Sequence, residues 1–156
     1  MVKKIKAVLL GTILLVMTAQ FCVASAAAQS INIGTIRNRD WILQEVRIGT
    51  ATVKIDRTGT ANENSIYTIR FDADRISGTG APNRFFAPYT ATGNSALSIG
   101  MIAGTLMAPL FERSDLRERD YFNYLQKIYR WSLINGKLEL YTLDDKNLEV
   151  ILIYSE

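Results

Sequence analysis

Histidine is absent from this chain, and its single cysteine, Cys22, lies close to the start. Without imidazole there is no His-based triad and no imidazole general base. Without a cysteine beyond residue 22 there is no thiolate nucleophile in the body of the chain, and zinc would have carboxylates alone to bind it. Neither a P-loop nor a Gly-x-Ser-x-Gly elbow occurs. An excess of one charge is also missing once the leader is set aside. The chain holds 18 Lys and Arg against 15 Asp and Glu, but Lys3, Lys4 and Lys6 precede the first acid by far. Removing the leader leaves 15 of each. No general polyanion affinity follows, and no nucleic-acid partner is expected.

What is present begins with residues 1–28. Lys3, Lys4 and Lys6 form a positive region, Ala7 to Val16 is almost unbroken apolar sequence, and Ala24-Ser25-Ala26 and Ala26-Ala27-Ala28 offer small residues for cleavage. This is the build of a secretory signal peptide, with cleavage expected before Gln29 and a periplasmic or secreted product. The apolar run is short of the roughly 20 residues that a spanning helix needs. Phe21 stands where a lipobox carries a small residue, which argues against lipid on Cys22. Membrane attachment is expected only through an uncleaved signal or such a lipid. The roughly 128 residues that remain suffice for one domain, with 29–39 as a loose leader or edge strand and 40–156 as the domain.

From residue 40 the pattern is short strands between turn clusters. Strands are expected at 41–46, 52–55, 66–71, 75–78, 85–91, 95–99, 131–134, 137–143 and 148–154, and Met101 to Met107 is apolar enough for a buried one. Asn135-Gly136 is the strongest hairpin signal, because a type I′ turn needs positive φ at both positions. A helix is expected from Ser114 to Ile128, with Ser114 as N-cap, Asp115 and Glu118 in the first turn, and Tyr121, Phe122, Leu125 and Ile128 on one face. Asp115 and Arg119 have the spacing to pair.

The candidates for chemistry are few. Asp72-Ala73-Asp74 lacks the further ligands of a calcium loop and reads as a turn. Asp144-Asp145 sits between two strands, where turn chemistry accounts for it. Glu45, Glu112 and Glu118 are scattered acids. Gly78-x-Gly80 lacks the third glycine and following helix of a phosphate loop; glycine there lets the backbone turn sharply. Asn83 has the side chain to bond local backbone groups. Phe85, Phe86 and Tyr89 supply core area, or line a groove with Met101 or Met107. No cofactor or metal is expected.

Residues 77–89, Ser-Gly-Thr-Gly-Ala-Pro-Asn-Arg-Phe-Phe-Ala-Pro-Tyr, resemble the Ser-Gly-x-x-Gly-Cys-Asn-x-Phe-x-Gly-x-Tyr signature of the META domain (HslJ-like) family of bacterial envelope proteins. Trp41-x-Leu43, Thr105-Leu106-Met107-Ala108-Pro109, the Glu118, Tyr121 and Leu125 helix pattern, and Leu138-x-Leu140 resemble its other motifs in order. The resemblance spans roughly residues 40–154. It implies a mainly β α+β fold, a strongly bent antiparallel sheet forming an open barrel with one helix packed against it. It also marks Gly78, Gly80, Pro82, Asn83, Phe85, Tyr89, Thr105, Met107 and Pro109 as structural or interaction residues.

Pro82 and Pro109 stand where the family has cysteines that are thought to pair, and Ala81 and Ala87 replace family glycines. A bridge closing that loop would be worth on the order of 3–4 kcal/mol. Each proline returns at most about 1 kcal/mol through the unfolded state. The function implied is a non-enzymatic envelope accessory or stress-related protein that acts on an unknown envelope protein through a surface. The alternative is a carrier of a lipid or small apolar ligand in the barrel interior. A carboxylate-based hydrolase or an inhibitor of an envelope enzyme comes after these.

Overall fold

The computed structural model of the chain describes residues 32–58, 65–109 and 113–156. The expected signal peptide, Cys22 and Glu112 lie outside them. Ten strands and one helix follow in order: β1 (Asp40–Ile48), β2 (Ala51–Lys54), β3 (Thr68–Phe71), β4 (Arg75–Thr79), β5 (Arg84–Thr92), β6 (Ala96–Ile99), β7 (Ala103–Gly104), α1 (Glu118–Gln126), β8 (Arg130–Ile134), β9 (Lys137–Leu143) and β10 (Glu149–Ser155).

All pairings between these strands are antiparallel, in the order β10-β9-β8-β6-β5-β4-β3-β1, and β1 pairs again with β10. The bent sheet therefore closes into an eight-stranded barrel, where the sequence led us to expect an open one. β2 extends β1, and β7 lies along β5. Closure depends on a bulge in β1. Leu43 faces Tyr154 and Glu45 faces Ile153, so Gln44 is an extra residue. The extra residue resets the two-residue alternation and turns Val46 inward after Trp41 and Leu43, leaving Glu45 near the surface.

The hairpin of β8 and β9 turns at Asn135 and Gly136 with φ of 51° and 76°, as a type I′ turn requires. Leu138, Leu140 and Thr142 of β9 face inward. The interior is filled by large side chains, among them Trp41, Tyr67, Phe71, Tyr121 and Tyr154, each essentially without solvent exposure.

Four further expectations need correction. Residues 33–36 form a 3-10 turn begun by Asn32, whose side chain accepts from Gly34 N–H, and Ile36 enters the core. The Trp41 indole donates to the Ile36 carbonyl at 2.9 Å, so this segment is tied in and is neither loose nor an edge strand. Met101 to Met107 is not a buried strand; only Ala103 and Gly104 pair, with Phe86 and Phe85, and Met101, Leu106 and Met107 are exposed. The helix begins at Glu118 rather than near Ser114, with Arg117 at the N-cap position and no side-chain cap. Asp115 is unavailable to the first turn because its carboxylate accepts from the distant Asp56 N–H, from Leu116 N–H and from Arg113. Arg119 lies near Asp120 instead of Asp115, and Arg117 pairs with Asp120.

The helix buries Tyr121 and Leu125 against the barrel. Tyr121 meets the rings of Tyr67, Phe85 and Phe122, the first two edge-on. Its hydroxyl accepts from Tyr154 at 3.2 Å, and the Tyr67 hydroxyl donates to the Leu116 carbonyl just before the helix. Burial pushes the Tyr67, Tyr121 and Tyr154 hydroxyls well above the ordinary tyrosine value.

Candidate functional site

The signature residues gather where the β4–β5 connection meets α1. One Glu118 carboxylate oxygen accepts from Ala81 N–H at 2.7 Å and Asn83 N–H at 2.6 Å. The other accepts from the Asn83 side-chain amide at 2.6 Å, which also donates to the Met107 carbonyl at 3.0 Å. The Asn83 side-chain oxygen accepts from Met107 N–H and the Thr105 hydroxyl, both at 2.7 Å. Thr105 Oγ1 in turn accepts from Arg84 N–H. One buried asparagine thus joins β5, the 105–107 segment and the helix, with its amide donors and carbonyl oxygen all occupied.

The expectation that the Asn83 side chain bonds local backbone groups is corrected, since its partners lie 22 to 35 residues away in sequence. The bond made within the turn is between backbone groups, Gly80 N–H donating to the Asn83 carbonyl at 2.6 Å.

The glycines answer to close approach. A Cβ on Gly80 would stand 2.4 Å from Glu118 Oε1, and one on Gly78 would stand 2.0 Å from the Thr68 carbonyl oxygen. Gly78 thereby lets β4 lie tight against β3 beneath the Phe85 ring, and Phe85 packs edge-on to Phe122 at 5.3 Å. Tyr89 is separate from this network. Its hydroxyl donates to the Asp72 carbonyl and accepts from Arg37 Nε, both at 2.8 Å, which fastens the segment before β1 to the β3–β4 turn. Pro82, joined to Ala81 by a cis peptide, and Pro109 are both exposed.

The other candidates are turns or surface pairs. Asp72 lies near Arg70, and its N–H closes the turn on the Arg75 carbonyl. Asp144 accepts from Lys146 and Leu148 N–H, Asp145 pairs with Lys127, and Glu45 pairs with Arg47. Among the described residues, no three Asp, Glu, Cys or His side chains gather to hold a metal.

Two grooves flank the helix start. One, of about 170 Å³, is lined by Ala81, Pro109, Arg113, Arg117, Glu118 and Arg119. The second, of about 390 Å³, shares Arg113 and Arg117 and adds Asp115, Asp120 and the apolar Val46, Ile48 and Val53. Burial works against Asp115 ionisation, but Arg113 and the N–H groups of Asp56 and Leu116 outweigh it and hold the carboxyl below its usual range. Half-buried Arg57 donates to the Leu43 and Ile66 carbonyls; partial burial, with Arg113 nearby, lowers its pKa. Sequence reasoning missed the Asp56–Arg113–Asp115 tie and the partnership of Glu118 with Asn83. Only the position of Glu118 in the helix pattern hinted at the latter.

No curated protein matches the chain. Among solved structures, an NMR structure of a protein from Burkholderia xenovorans is similar, with a TM-score of 0.57 at 19% identity over 78% of this chain and 85% of the other. That likeness concerns the fold. The family model described as META domain matches residues 34–152, from the 3-10 turn that carries Ile36 to Leu152 in β10, and the chain belongs to the META domain family.

Proposed function

We propose that the chain is a non-enzymatic accessory domain of the cell envelope, in stress tolerance or assembly, that works by holding another envelope protein against the helix side of its barrel. The observation that carries this reading is the inward engagement of the signature. Asn83, Thr105 and Glu118 are bonded to one another and to backbone, so the shared residues serve as a brace for the surface beside them. That surface is the pair of grooves meeting at Arg113 and Arg117. Arg113, Arg117 and Arg119 are balanced there by Asp115, Glu118 and Asp120, with Val46, Ile48 and Val53 as apolar floor. A charge-balanced rim around apolar area suits a protein segment better than a polyanion. The signal-like residues 1–28 support a place in the periplasm or outside the cell. The carrier alternative is opposed by the barrel interior, which Trp41, Leu140, Leu152 and Tyr154 fill.

A photo-crosslinking residue at Ser114 in living cells tests the reading. One reproducible protein adduct is expected, lost when Arg117 and Arg119 are both changed to Glu and not formed from Lys137 on the β8–β9 hairpin. The absence of any groove-specific adduct would overturn it, as would native mass spectrometry showing an apolar small molecule inside the barrel.

A further inference from the structure

A second surface stands apart from the grooves. In antiparallel register Phe86 faces Ala103 on one side and Ser77 on the other, while Pro88 faces Arg75 and Arg84 faces Thr79. Paired residues share a face, and residues two apart along a strand share it too. Arg84, Phe86 and Pro88 therefore point outward together, with Arg75 and Ala103 beside them. Phe86 is 55% exposed, and the segment around β7 adds Met101 at 84%, Leu106 at 100% and Met107 at 53%. These four are a majority of the exposed large apolar side chains of the described residues, and no charged residue occurs from Thr90 to Pro109.

We propose that this outer face of β4, β5 and β7, with the 101–107 segment, is a contact surface for a lipid bilayer carrying anionic headgroups. Two features select that occupant. The apolar side chains protrude, and none of them lines the grooves described above. A protein ligand anchors its hot-spot residues in pockets, whereas the acyl boundary of a bilayer receives protruding side chains without one. The charges fit as well. Arg75 and Arg84 flank the apolar strip, and neither side chain has an ion pair or hydrogen bond among the described residues. Asp40 and Asp72 are engaged by Arg70, while Asp74, next to Arg75, stands exposed at the turn. The expectation that membrane attachment needs the signal or a lipid on Cys22 is thereby widened. The surface lies on different elements from the grooves, so either proposal can fail alone.

Every described element lies between Ile33 and Ser155, so the chain from Gln29 onward serves for the test. Its sedimentation is measured with vesicles of phosphatidylcholine, with and without phosphatidylglycerol. Binding is expected to the anionic vesicles. It should weaken about tenfold or more in the Met101→Ser, Leu106→Ser double variant, and lose its preference for phosphatidylglycerol in Arg75→Gln, Arg84→Gln. The Ile134→Ser, Leu148→Ser variant, altered at exposed apolar positions elsewhere, should bind as the parent does. All of these changes are at the surface, and unchanged thermal melts identify the variants as folded. Absence of vesicle binding overturns the proposal, as does binding that the first two variants leave unaltered. Retention by an acidic peptide that maps to this face without vesicle binding would reassign it to a protein partner and overturn it equally.

Discussion

Glu118 on α1 takes the backbone N–H groups of both Ala81 and Asn83 on one oxygen and the Asn83 side-chain amide on the other, each at 2.6–2.7 Å. A helix of nine residues without a side-chain cap is thus held by its first residue to a turn of the barrel. A short helix has little intrinsic stability and depends on such tertiary contacts.

Glu118→Gln keeps the shape of the side chain but presents an N–H₂ group where one acceptor stood. One amide of the brace then meets a donor. We expect a loss of about 1–3 kcal/mol in chemical denaturation, with an unchanged slope against denaturant.

Gly78→Ala places a methyl group against the Thr68 carbonyl, a backbone atom that cannot swing aside. The β3–β4 pairing must open to admit it. A loss of about 3 kcal/mol is expected, read as a lower melting temperature. Gly93→Ala, where φ is +58° but the space is open, should cost only about 1 kcal/mol.

Three buried tyrosines set the alkaline limit. Their folded-state pKa values are raised, chiefly by burial, so the neutral phenols favour the fold. That contribution is whole below the unfolded value near 10 and is lost as pH rises toward the folded values. Melting temperature should hold through the weakly alkaline range and fall steeply above about pH 10. Tyrosinate absorbance should rise with unfolding and not before it for these three residues, and Tyr121→Phe should make the fall shallower.

Asp115 sets an acid limit of opposite sign. Its lowered pKa means that its stabilisation is present above the unfolded value near 3.9 and is lost as pH falls through the folded value. Asp115→Asn should cost about 1–3 kcal/mol at neutral pH, and the difference from the parent should shrink below about pH 3. Urea titrations at the two pH values measure it.

Local chemistry made parts of this fold legible. Asn135-Gly136 dictates its turn whatever surrounds it, and Leu138 and Leu140 alternate because one face of β9 is buried. The helix start was misplaced because Asp115 is claimed by Asp56, 59 residues earlier, a partner that periodicity does not reveal. Met101 to Met107 reads as a buried strand by composition. It instead pairs with β5 as a strand over Ala103 and Gly104 alone, and the backbone of Met107 is taken by Asn83. The signature brings Asn83 and Thr105 into view as neighbours in a motif order, yet the bonds of Asn83 run to Met107 and Glu118, and such distant pairings are set by the closed barrel.

The account stands on the brace between Asn83 and Glu118, and a double-mutant cycle measures it directly. Asn83→Ala, Glu118→Ala and the double variant are unfolded in urea beside the parent. The brace predicts a coupling of about 2 kcal/mol, with the double variant little worse than the more damaging single one. Additivity within about 0.3 kcal/mol would contradict it.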